Sequence, residues 1–134
     1  MIKAKIISEV VGSPQDHVDK TLQLLLDKIK ERKNLQVKNE KMFSAQPMEK
    51  SSLFSGFLEY DIEIEQVNTL VDFCFDFMPS SIEIIEPDNL KMNASDISSL
   101  FNELMARLHQ NDLFLRNLIV ELKMIKKKYE GEKN

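Results

Sequence analysis

The strongest constraint on how this chain can fold lies near its C-terminus. Phe101, Leu104, Leu108, Asn111, Leu115, Leu118, Leu122, Ile125 and Tyr129 follow alternating steps of three and four residues without a slip, and eight of the nine are apolar. That is the a/d pattern of a coiled-coil seam held over four heptads. Phe101, Leu108, Leu115, Leu122 and Tyr129 take the a positions, and Leu104, Asn111, Leu118 and Ile125 take d. Asn111 is the one polar seam residue, the kind of substitution that fixes register and partner number at a cost in stability. Asn93 is a suitable N-cap with Asp96 three residues on, so one helix over 93–130 is expected. It would be about 55 Å long. A globule of about 90 residues has a radius of gyration of only about 12 Å. Such a helix would overhang its own domain, and the overhang needs cover. The competing geometry is a break at His109-Gln110-Asn111-Asp112, weak helix formers where Asp112 could cap a second helix and let the tail fold back. Leu113, Phe114 and Ile119 lie off the seam and widen the apolar surface.

Upstream, the pattern is that of an α+β body. Lys3–Val10 is rich in Ile and Val and reads as a strand, ended by Val11-Gly12-Ser13-Pro14. Ser13 as N-cap and Pro14 at the first helical position start a helix to about Lys33, with Val18, Leu22, Leu25, Leu26 and Ile29 on one stripe. Leu35–Phe43 reads as a second strand and 44–52 as a polar loop around Pro47. Leu53–Glu65 is the clearest strand: Leu58, Tyr60, Ile62 and Ile64 alternate with Glu59, Asp61, Glu63 and Glu65. Gln66–Met78 reads as a helix with Val67, Leu70, Val71, Cys74 and Met78 on its main stripe and Phe73, Phe75 and Phe77 beside it. Pro79-Ser80-Ser81 breaks it before a last strand, Ser81–Ile85. The order β-α-β-β-α-β plus a long C-terminal helix predicts a ferredoxin-like sheet covered by two helices. Residues 1–92 form that body, 93–130 the helix, and 131–134 a disordered tail.

The acidic strand face has two readings. Clustered carboxylates suit a hard cation, but alternate strand positions lie about 7 Å apart. In the ferredoxin-like order the third strand lies between the first and second, which carry Lys3, Lys5 and Lys38. Cross-strand ion pairs would then neutralise the row. A basic partner docking there is a third use of the same face.

Charge and chemistry narrow the function classes. The net charge is −4, which argues against nucleic acid as the main partner. Residues 1–112 hold 12 basic against 19 acidic residues, and 113–134 hold 6 against 3. Arg116, Lys123, Lys126, Lys127 and Lys128 form this basic end, with only Tyr129 near for stacking. No run of about 18 apolar residues marks a membrane span. The first residues are too short and too charged for a secretory signal. The single cysteine, Cys74, cannot form an internal disulfide, so a reducing cytoplasm is the expected setting. It sits on an apolar stripe and reads as a core thiol. His17 and His109 have no patterned partner, and no phosphate-binding, nucleophile-elbow or zinc-protease motif occurs. No catalytic residue, metal set or cofactor is therefore assigned.

Gly12 and Ser13 lie between the first strand and first helix, and helix N-termini bind anions. This glycine and the element order resemble the ACT family of amino-acid-sensing regulatory domains; the last helix lies outside that pattern. The resemblance implies a small-molecule ligand near Gly12, Ser13 and His17. The expectation drawn from the residues themselves is a non-catalytic interaction module. It would self-associate as a homodimer, or grip a partner helix, through the seam from Phe101 to Tyr129.

Overall fold

The computed structural model describes residues 1–133, with side chains to residue 132. Its elements are β1 (Ile2–Gly12), α1 (Gln15–Lys30), β2 (Leu35–Pro47), β3 (Phe54–Ile64), α2 (Val67–Phe77), β4 (Ser81–Glu86) and α3 (Ala94–Lys133). The chain divides into two compact units, Met1–Leu90 and Lys91–Asn134.

The first unit is a four-stranded sheet in the order β2-β3-β1-β4. Every neighbouring pair is antiparallel. The alternation in β3 dictates which face is covered. Leu58, Tyr60, Ile62 and Ile64 are buried, as are Ile2, Ala4, Ile6 and Ser8 of β1. Val18, Leu22, Leu26 and Ile29 of α1 and Leu70 and Phe73 of α2 complete the core. Gly56 lets α1 approach β3 closely: an added Cβ would stand 2.6 Å from Leu22 Cδ1 and 3.3 Å from the Phe43 carbonyl oxygen.

β2 is longer than its sequence pattern indicates. Its register against β3 slips between Lys38 and Lys41 and again between Phe43 and Gln46. Each slip inserts one extra residue, a β-bulge, and each flips the side-chain parity. Asn39 takes a positive φ of 55° at the first. Within the second, Ala45 is fully buried. The strand thus absorbs Ser44–Pro47, expected as loop, because the bulges let a polar stretch keep pairing.

The start of α1 also departs from expectation. Ser13 does not cap it; Pro14, in extended conformation, is the N-cap, and no side chain caps the helix. The Pro14 carbonyl accepts from the His17 and Val18 amides at 3.0 and 3.3 Å. The helix is fastened to β2 instead. Gln15 Nε2 donates to the Ala45 carbonyl at 2.7 Å, and the Ala45 amide donates to Asp19 Oδ1 at 2.8 Å.

α2 is covered on one side only. Leu70 and Phe73 are buried, while Val71, Cys74, Phe75 and Phe77 are half-buried. Met78 ends the helix in the left-handed region, φ 46°, with its amide bonded to the Cys74 carbonyl. Arg32 joins the C-terminal side of α1 to α2: it pairs with Asp76, and its guanidinium carbon lies 4.9 Å from the Phe77 ring centre.

One polar contact crosses the core. Ser8 Oγ and Tyr60 Oη are 3.0 Å apart, and both residues are buried. Burial pushes the Tyr60 phenol from 10.0 up to about 12, against the opposing effect of the Ser8 hydrogen bond. The folded chain holds this proton to higher pH than an unfolded chain does. The stability tied to it is intact below pH 10 and falls away as pH rises from 10 towards 12. Tyr60→Phe is expected to cost about 1–2 kcal/mol at neutral pH by leaving the Ser8 hydroxyl unpaired. In denaturant titrations between pH 10 and 12 the variant should lose stability less steeply than the parent, and equal slopes would contradict this origin.

Candidate interaction surface

α3 is one uninterrupted helix of 40 residues. At about 1.5 Å per residue it is about 60 Å long. The chain does not break at His109–Asp112. Asp112 and Arg116, one turn apart, form an ion pair at 3.0 Å across the end of this weak stretch. Glu103 and Arg107 pair at 3.2 Å before it. Such i,i+4 pairs add a few tenths of a kcal/mol each to a helix. At the start, the Ile97 amide bonds to the Asn93 carbonyl, and Asp96 complements the positive helix end. Helix continues through 131–133, where a loose tail was expected, and Asn134 lies outside the described residues.

The seam residues come together along one edge of this helix. Phe101 is 56% exposed, Leu118 44%, and Leu122 and Ile125 66%. Leu108, Leu115 and Tyr129 are exposed too, and Leu104 is half-buried. Asn111 lies among them, exposed. Met105, Phe114 and Ile119 flank the seam and are also exposed. Within the single chain this is a long apolar strip open to water, well beyond the scattered apolar residues of an ordinary surface.

The sheet face away from the helices is a charge lattice. Lys5 Nζ meets Glu59 at 2.7 Å, Lys38 Nζ meets Glu63 at 3.0 Å, and Asn39 Nδ2 donates to Asp61 at 2.9 Å. The register also sets Lys3 opposite Glu63 and Glu86, and Lys5 opposite Asp61 and Glu83. The hydrogen bond and charge of Glu59 raise the Lys5 pKa above its ordinary value. The acidic row of β3 is thus met by lysines from both neighbouring strands. Among the described residues, no three His, Cys, Asp or Glu side chains gather where a metal ion could be held.

At one end of this face Phe43 and Phe57 oppose each other across β2 and β3, both exposed, with Val11 of β1 exposed nearby. The sequence pattern held a signal for Phe57, which shares the parity of Glu59 and Asp61. Phe43 was hidden by the bulge that precedes it. On β4, Ile82 and Ile84 are opposite buried Ile6 and Ala4 yet remain exposed themselves.

Gly12, Ser13 and His17 lie together at the turn from β1 to α1. Ser13 and His17 are exposed and Gly12 is half-buried. A Cβ on Gly12 would meet only Val18 Cγ2 at 3.5 Å, an ordinary contact, so crowding does not require glycine there. A groove of about 210 Å³ lies at the other end of β1, lined by Met1, Lys33, Leu35, Glu63 and Glu65 among others. Cys74 is half-buried, and burial raises its thiol pKa, which disfavours the reactive thiolate. No helix among the described residues is long and apolar enough to cross a membrane.

The lattice has a measurable signature. A double-mutant cycle on Lys5→Ala and Glu59→Ala, read by denaturant unfolding, should give a small coupling that shrinks in 1 M salt. A larger, salt-independent coupling would show that this pair is not a solvent-screened surface contact.

Comparison with known proteins places this architecture. The chain matches the MJ0538 family over residues 3–133, from β1 through α3. A protein of Methanocaldococcus jannaschii, named uncharacterized protein MJ0538, is 27% identical over 100 residues, which are 75% of this chain and 38% of that protein. The match thus spans well under half of the relative's length. No solved structure was found to match. The chain belongs to the MJ0538 family.

Proposed function

We propose that this protein is a non-catalytic assembly module, in which a ferredoxin-like platform is carried on a helix that associates with another polypeptide. The β-α-β-β-α-β order, with β3 lying between β1 and β2, supports the ferredoxin-like reading of the first unit. A single half-buried cysteine suits a reducing, cytoplasmic setting. The observation that carries the functional reading is the exposure of the seam on an unbroken helix.

The energetics favour cover. Burying a Leu, Ile or Phe side chain contributes about 1.5–3 kcal/mol. The seam offers eight apolar side chains. Two copies or a partner helix would bury two such rows, enough to exceed the roughly 4–15 kcal/mol lost in translational and rotational freedom on association. An isolated helix draws little stability from propensity alone; an apolar face packed against a neighbour supplies the rest.

Replacing Leu115 and Leu122 together by Glu places charges in the middle of the seam. The double variant should run as a monomer by light scattering at tens of micromolar, while hydrogen-exchange protection of β1 and β3 stays unchanged. The parent should have at least twice the monomer mass. A parent that is itself monomeric, or a variant of unchanged mass, would reject the assembly reading.

A further inference from the structure

Resting on that assembly reading, we infer that the partner of α3 is a second copy of this chain, laid parallel and in register. The evidence is in the positions that flank the seam. With Phe101 at a and Leu104 at d, the g positions hold Leu100, Arg107, Phe114 and Glu121, and the e positions hold Met105, Asp112, Ile119 and Lys126. In a parallel pair each g residue lies beside the e residue five places further along the other helix. Leu100 then meets the partner's Met105, and Phe114 meets the partner's Ile119, apolar against apolar. Arg107 meets the partner's Asp112, and Glu121 meets the partner's Lys126, opposite charges in both cases. The four flanking contacts between Leu100 and Lys126 match when the chain is paired with itself; Lys128, the fifth g position, has no acidic residue five places on.

The seam agrees. In register, Asn111 lies level with the partner's Asn111, so one amide can donate to the other inside an otherwise apolar row. A mispaired Asn would be left against leucine at a cost of about 1–3 kcal/mol. The antiparallel alignment that pairs Phe101 with the partner's Ile125 is worse. It keeps Arg107 beside the partner's Glu121, Phe114 beside the partner's Phe114 and Met105 beside the partner's Ile119, but sets Asn111 against the partner's Leu115. It also sets Asp112 against the partner's Asp112 and Leu100 against the partner's Lys128. Leu113, Val120 and Met124 occupy f and c positions and stay in water in either arrangement. A parallel pair brings the N-terminal ends of both α3 helices to one end of the coil. The two copies of the first unit are therefore attached at that same end.

The orientation is read by a single thiol. In the full chain carrying Cys74→Ser, Leu118→Cys places identical d positions face to face only in a parallel, in-register pair. In the antiparallel alignment two such residues are ten residues apart along the coil, about 15 Å. Mild oxidation should convert the Leu118→Cys protein almost completely to a disulfide-linked dimer. A second measurement uses charge. Glu121→Lys and Lys126→Glu should each weaken self-association, and mixing the two variants should restore it as a heterodimer. The inference is overturned, with the assembly reading left standing, by a dimer that forms no Leu118→Cys disulfide but cross-links when Leu108→Cys and Leu118→Cys chains are mixed. A mass of three or more copies overturns the pairing as well. A strictly monomeric parent overturns both.

Discussion

An apolar row about 45 Å long on a single helix cannot be left to water without cost. From Phe101 to Tyr129 the exposed side chains lie on one edge, and the helix that carries them runs unbroken. The polar residues that interrupt the row do so sparingly. Asn111 is the one seam position with hydrogen-bonding capacity. Arg107, Asp112, Glu121 and Lys126 flank the row at positions where charge, in a paired coil, selects a partner more than it adds affinity.

The first unit shows the complementary design. Its covered face has an apolar core organised by β1, β3 and α1, tied by the buried Ser8–Tyr60 contact. Its open face is neutralised by ion pairs between strands. These pairs contribute little net stability, yet they agree with the register, because a one-residue slip would turn the carboxylates of β3 towards the core. The coverage is uneven. α1 lies over three strands, while α2 leaves Ile82 and Ile84 of β4 exposed. Just past the turn at Gly12 and Ser13, Gln15 and Asp19 join α1 to β2 through Ala45.

Much of this was legible in the amino-acid order, for identifiable reasons. β3 alternates without exception from Leu58 to Glu65, so its covered and open faces follow from a period of two. The stripe Val18, Leu22, Leu26 and Ile29 gave α1 its buried face by the helical period. The seam kept its register across His109–Asp112, which a break would not have required. What stayed hidden involved contacts between distant residues. Two bulges spoil the alternation of β2, so Ser44–Pro47 read as loop and buried Ala45 gave no signal. Ser13-Pro14 has the composition of a cap, but the helix start is held by Gln15 and Asp19 reaching another strand, which local spacing cannot encode. The seam itself was plain from its alternating steps of three and four.

The central claim is that the α3 seam is shielded by another polypeptide surface. Hydrogen–deuterium exchange of the full chain, followed over a dilution series, tests it most directly. The account predicts that backbone amides between Phe101 and Tyr129 are strongly protected at high protein concentration and lose protection together as dilution separates the copies. Exchange of that segment at the rate of a solvated single helix, even at the highest concentration, would contradict it.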